Sequence, residues 1–168
     1  MEDKIIFNND GEYGKYFMQE LKLPPLYSDP EVMKRYARFG RRIHWLDSNN
    51  MPGSFQMNTS WYFAPTVSNS PDAPKTPFAM KPHVHDCDEV LGFYGSDPQD
   101  PYDLGGEVEL HINGEKHILT KSTLVYLPAG LVHLPLYVNK VDRPIFHFSI
   151  MMNSEYVARP PMPGEENK

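Results

Sequence analysis

HVHDCDEVLGFYG, residues 83–95, places ligand-type side chains at alternate positions. In an extended strand alternate residues share a face. His83, His85, Cys87, Glu89, Leu91 and Phe93 then lie on one side, and Val84, Asp86, Asp88 and Val90 on the other. Two imidazoles and a carboxylate on one strand face can converge on a single ion. The mixture of nitrogen and oxygen donors suits one divalent transition metal per chain, whether Fe, Mn, Ni, Co, Cu or Zn. A further ligand has to come from another strand, and His133 follows directly on the tight corner Pro128-Ala129-Gly130.

Outward from this stretch the text is strand language. SDPQDPYDLGG (96–106) is an acidic loop that either gates the site, folding Tyr102 and Leu104 over a ligand, or is an insertion on the outer surface. EVELHI and EKHIL flank Asn113-Gly114, the strongest short hairpin signal. TLVYLPAGLVHLPLYV reads as two strands hinged at the proline-glycine corner, and RPIFHFSIM as a last strand. Upstream, RRIHWL and SFQMNTSWYFA are β-prone and are separated by the turn-rich DSNNMPG. Gln56, Asn58 and Ser60 share one face of their strand, a polar row that either lines a cavity or faces water. Residues 65–82 form a proline-rich surface connection. One early helix is expected, with Ser28 and Glu31 at capping-box spacing, Pro30 in the first turn and Gly40 as its end. Its stripe is Val32, Met33, Tyr36 and Ala37. The basic run Lys34, Arg35, Arg38, Arg41 and Arg42 reads as a solvated face before an anion grip. About eight short strands punctuated by seventeen prolines indicate a sandwich or jelly roll.

The bulk properties bound the function. At 168 residues with 40% apolar content the chain fits one domain. A net charge of −6 disfavours nucleic acid, which needs a basic face. No apolar run approaches a membrane span, and the N-terminus lacks the form of a secretory signal. The lone cysteine, Cys87, suits a reducing compartment, so the expected location is the cytoplasm. Edge strands need cover, so a homodimer is expected, with the segment carrying Phe7, Tyr13, Tyr16 and Phe17 as the exchanging part.

His83-x-His85 followed by Glu89, and Pro128-x-Gly130-x-x-His133, together resemble the two motifs of the cupin superfamily. The resemblance covers roughly residues 76–150. It implies an all-β, single-domain jelly-roll barrel over 41–152, after an N-terminal extension with a helix (1–40) and before a flexible tail (153–168). It also implies His83, His85, Glu89 and His133 as the metal ligands. Pro77 and Ser122 stand where the family has glycines, Tyr137 replaces a frequent asparagine, and Gly95 lies one residue early. These positions shape turns and bind no metal. Further cavity candidates are Gln56, Asn58, Ser60, Cys87, Tyr102 and His147, the last on a strand that runs near the cup in such barrels. Cys87 is expected to fill space more than to react, and His44, His111 and His117 to be surface or core residues. The aromatic supply (Trp45, Trp61, Tyr62, Phe63, Phe93, Phe146, Phe148) suggests an apolar wall and a small organic ligand. The expected function is a metal-dependent enzyme, an iron-type dioxygenase first. A non-redox isomerase, lyase or decarboxylase, or a binding cupin without turnover, are the alternatives.

Overall fold

In the computed structural model, residue 5, residues 7–66 and residues 81–165 are described. Among them eight strands follow a 3-10 turn (Gly14–Tyr16) and two short α-helices. The helices are α1 (Pro25–Ser28) and α2 (Pro30–Tyr36). The strands are β1 (Gly40–Leu46), β2 (Gln56–Tyr62), β3 (Glu89–Tyr94), β4 (Asp103–Ile112), β5 (Glu115–Lys121), β6 (Thr123–Leu127), β7 (His133–Val141) and β8 (Ile145–Met151). They form two antiparallel sheets, one ordered β1-β2-β8-β3-β6 and the other β5-β4-β7. This is the jelly roll that the cupin resemblance implies. No described helix is long and apolar enough to cross a membrane.

The core lies between the sheets. Leu104, Val108 and Leu110 of β4 and Val138 of β7 pack toward Leu91 and Phe93 of β3 and Ile145 of β8, all at most 5% exposed. Tyr36, Phe39 and Tyr62 belong to the same cluster. Alternation produces this in β4, which turns Leu104, Val108 and Leu110 inward, whereas the buried faces of β2 and β8 also carry Gln56, Ser60, His147 and Ser149. Exposed β5 edges the smaller sheet with Glu115, Lys116 and Lys121, charges that discourage further pairing.

Several local expectations are corrected. The helix cap is Asp29, whose Oδ1 accepts the Glu31 and Val32 amides at 2.9 and 3.1 Å; Ser28 instead ends α1. α2 stops at Tyr36 and Gly40 opens β1, where an added Cβ would crowd Tyr62, Tyr36 and the Trp61 carbonyl. Residues 83–95 are not one strand. His83 and Val84 make isolated bridges, residues 85–88 bend, and β3 begins only at Glu89. The loop after β3 ends by Asp103, where β4 starts. Leu104 is fully buried in the core and so is not free to fold over a ligand, while Tyr102 is 75% exposed. Residues 153–165 return to the first motif. Val84 and Arg159 exchange backbone hydrogen bonds at 3.0 and 3.1 Å, and the Arg159 guanidinium grips Asp86 and Glu165. Pro77 and most of the 65–82 connection lie outside the described residues.

The Asn113-Gly114 hairpin takes φ of +49° and +83°, the left-handed pair its sequence demands. An added Cβ at Gly114 meets nothing within 4 Å, so its cost is conformational alone. Gly114→Ala is expected to lower unfolding free energy by about 1 kcal/mol. Urea denaturation showing no loss would contradict this turn assignment.

Candidate metal centre

Two backbone hydrogen bonds bring the motifs together. His83 N–H donates to the His133 carbonyl and His133 N–H to the His83 carbonyl, each at 3.1 Å. A mutually bonded antiparallel pair places its two side chains side by side, and the rings lie 4.5 Å apart. His85 joins them although its strand is broken. Its carbonyl accepts the Gly130 amide at 2.8 Å, which ties it to the proline-glycine corner. Asp88 fixes the same corner from the other side, with Oδ1 accepting the Ala129 amide and Oδ2 the Tyr126 hydroxyl.

Each histidine has its Nδ1 against a backbone carbonyl: Lys81 at 3.1 Å for His83, Val157 at 2.6 Å for His85 and Leu131 at 2.9 Å for His133. A carbonyl only accepts, so the neutral ring carries its proton on Nδ1 and turns the Nε2 lone pair inward. The three rings are buried, and one ligand nitrogen from each lies within 4.8 Å of the others. Among the described residues this is the one such convergence of metal-binding side chains. His83 Nε2 and His85 Nε2 are 3.2 Å apart. With both protons on Nδ1 the lone pairs face each other, an arrangement that a cation between them relieves. Ligands about 2.0–2.1 Å from one metal are separated by roughly this distance.

Glu89, 4% exposed, adds the negative charge. Its Oε2 lies 3.2 Å from His133 Nε2 and 3.5 Å from His85 Nε2, and with their protons on Nδ1 the neutral rings present no N–H to it. The oxygen is therefore buried without a hydrogen bond. Burial opposes ionisation of this carboxyl, but when His133 and His85 are protonated their hydrogen bonds and positive charge overcome that and hold its pKa down at about 2. Burial and the other two imidazoles lower His83 to about 4, which keeps its Nε2 free of a proton at neutral pH. For His85 burial is outweighed by Glu89 and the Val157 carbonyl, and its pKa rises. The field that attracts a proton to His85 attracts a metal cation equally. Inward lone pairs, an unpartnered buried carboxylate oxygen and a ring-orienting carbonyl behind each histidine fit a divalent transition metal.

The centre opens into a cavity of about 120 Å³ between the sheets, room for a small organic molecule and not for a polymer. Asn58 and His147 line it. Asn58 donates to Ser149 Oγ at 2.7 Å, and Ser60 is buried, accepting the Tyr36 hydroxyl at 2.7 Å. Gln56 is fully buried with both amide atoms unpartnered and does not line the cavity. Cys87 and Tyr102 also lie outside the lining. His147 donates from Nδ1 to the Gly92 carbonyl at 2.9 Å and stacks on Tyr62 and Phe93. Burial lowers its pKa to about 4, so it is a neutral imidazole with Nε2 as acceptor. Of the expected aromatic wall, Trp45 and Tyr62 face the cavity, while Phe63 is 47% exposed. His44 contacts Thr59, His111 pairs with Glu109, and His117 sits on exposed β5 near Glu115.

Sequence reasoning missed three contributors. Tyr156, in the segment expected to be loose, packs 5.4 Å from His85. Tyr27 belongs to the one-turn helix α1, too short to show a period. Arg42, counted with a solvated basic run, turns into the cavity; its place two residues after Gly40 on β1 was the available signal.

No protein-family model matches this sequence, and no curated protein sequence matches it. Among solved structures, an oxalate oxidase in complex with glycolate is similar over 89% of this chain and 70% of its own, at 16% identity and a TM-score of 0.48. A cupin-like protein from Thermotoga maritima is similar over 76% and 79%, at 17% identity and 0.44. A cupin-2 domain from Rhodospirillum rubrum is similar over 75% and 68%, at 12% identity and 0.44. Identities this low and TM-scores below 0.5 transfer no chemistry.

Two variants test the centre. His133→Ala is expected to drop bound metal well below one equivalent per chain by elemental analysis; retention of a full equivalent would contradict the geometry. Arg159→Ala keeps all three histidines but frees the segment whose Val157 carbonyl orients His85. Metal affinity in a competition titration is expected to fall about tenfold. An unchanged affinity would make that segment a bystander.

Proposed function

We propose that this chain is a metal-dependent enzyme that transforms a small organic molecule in the cavity between its sheets. His83, His85 and His133 hold one divalent transition metal through Nε2, and Glu89 is the fourth ligand. The observation that carries this is the set of three carbonyl-anchored Nδ1 atoms, which turns three ligand nitrogens together, with the buried Glu89 oxygen 3.2 Å from His133 Nε2 and 3.5 Å from His85 Nε2. Such an ion supplies Lewis acidity, and a redox-active one supplies electron transfer as well.

The rest of the chain binds and shields. Tyr27, Trp45, Tyr62 and Leu136 give the cavity its apolar surface and exclude water. Apart from Glu89, no described carboxylate or lysine lines the cavity. His147 is neutral and its ring is held by a carbonyl and two aromatic faces, so its contribution is a hydrogen-bond acceptor at Nε2. Scarce acid–base equipment favours chemistry that resides on the metal, and the preferred reaction class is a dioxygenase using iron. A non-redox lyase, isomerase or decarboxylase would have to draw its proton transfers from His147 or the tyrosines.

Protein loaded separately with Fe(II) and Zn(II) distinguishes these outcomes. With small aromatic and aliphatic acids and alcohols as candidate substrates, the iron form is expected to consume dioxygen on addition of one of them and the zinc form is not. Equal product formation by both forms without oxygen uptake would overturn the dioxygenase assignment. Glu89→Gln is expected to weaken metal binding by about tenfold or more, since it removes the anionic ligand while keeping its shape. Unchanged affinity in that variant would remove Glu89 from the ligand set.

A further inference from the structure

Arg42 stands in the cavity wall with no counter-ion among the described residues. Its guanidinium carbon lies 4.4 Å from the ring centroid of Tyr36, 4.7 Å from Tyr27 and 5.8 Å from Trp45. Nη1 is buried and has no hydrogen-bond acceptor. Among the described residues no carboxylate pairs with this arginine. The tyrosines beside it do not balance it either, because burial raises the pKa of Tyr27 and Tyr36 and keeps both hydroxyls protonated. Three aromatic faces stabilise the cation and fix its plane, and the Tyr36 hydroxyl hydrogen-bonds with it, but they leave Nη1 without an acceptor. A buried guanidinium nitrogen with no acceptor, on a residue that lines a ligand-sized cavity, favours an anion beside it.

The position of Arg42 relative to the histidines sets the size of the ligand. β1 is three strands from β3 in the larger sheet, about 14 Å across at the backbone. Arg42, His83, His133 and Glu89 nevertheless line one cavity. Between them the sheet's inner face offers Asn58 and Ser149, adjacent and hydrogen-bonded to each other. An anion seated on Arg42 therefore extends over neutral polar and aromatic surface toward the metal centre. One guanidinium among neutral groups matches a single negative charge; a phosphate, with its second charge and third oxygen, would want more donors than this wall supplies. A fork flanked by ring faces matches a flat, two-oxygen anion.

We infer that Arg42 is a specificity-determining residue that binds the carboxylate of a small monocarboxylic acid, whose apolar body lies against Tyr27, Tyr36 and Trp45 and whose far end faces the three histidines. This rests on the proposed function only in naming the ligand as its substrate; the carboxylate site itself does not require the metal.

The test uses benzoate and its neutral analogue benzamide, titrated by calorimetry into full-length wild type, Arg42→Met and Arg42→Lys, each with metal loaded and after chelator treatment. In both metal states wild type is expected to bind benzoate about tenfold or more tightly than benzamide. Arg42→Met loses that preference while retaining its metal content, and Arg42→Lys, which keeps the charge without the fork, falls between. Equal benzoate affinity in all three proteins overturns the inference, as does failure of wild type to bind benzoate at millimolar concentration. A wild type that holds no metal yet keeps the Arg42-dependent preference would sink the metal-enzyme proposal and leave the carboxylate site standing.

Discussion

The paired backbone hydrogen bonds between His83 and His133 are the constraint on which the centre depends. They join segments fifty residues apart in the chain, one leaving the 65–82 connection and one entering β7. Once that bridge is closed, the two rings have one place to go, and carbonyls two residues before each take up their Nδ1 protons. His85 is then added by bonds of its own, from the Gly130 amide on one side and to the Val157 carbonyl on the other. No part of this relies on a continuous strand through 83–95, and the chain does not make one.

The C-terminal segment shows how much of the candidate centre lies outside its motifs. Arg159 holds Asp86 in the bend and Glu165 in its own turn, and Glu165 also accepts the Met162 amide at 2.7 Å. That clamp keeps Val157 at its 2.6 Å contact with His85 and Tyr156 against the same ring. Asp86 is exposed and contributes little as an ion pair alone, whereas Glu165 is buried. Their effect is to select one path for a proline-rich stretch that has no regular hydrogen bonding to select it otherwise.

Period two made the strands legible, since alternation in SFQMNTSWYFA, EVELHI and IFHFSIM survives any choice of partner strand. The hairpin was legible because Asn-Gly is among the few pairs that suit two left-handed positions. The histidines and Glu89 were legible as ligand types, although the alternation argument that grouped them assumed a strand that bends at residues 85–88. Leu104 misled for a physical reason: an apolar residue beside two glycines looks like a lid, but β4 begins one residue earlier and carries it into the core. Arg42 was obscured by its neighbours, since Lys34, Arg35, Arg38 and Arg41 are exposed and only the step into β1 turns the next arginine inward. Tyr156 offered no local signal at all, because its position comes from contacts with residues seventy positions upstream.

The central claim is that three imidazole Nε2 atoms meet at one metal ion. X-ray absorption spectroscopy on protein reconstituted with one equivalent of a divalent transition metal reads those neighbours directly. The account predicts three histidine nitrogens at about 2.0–2.2 Å, with the multiple-scattering signature of imidazole rings, and the balance as oxygen. A spectrum of oxygen neighbours alone, or with a single imidazole, would contradict it.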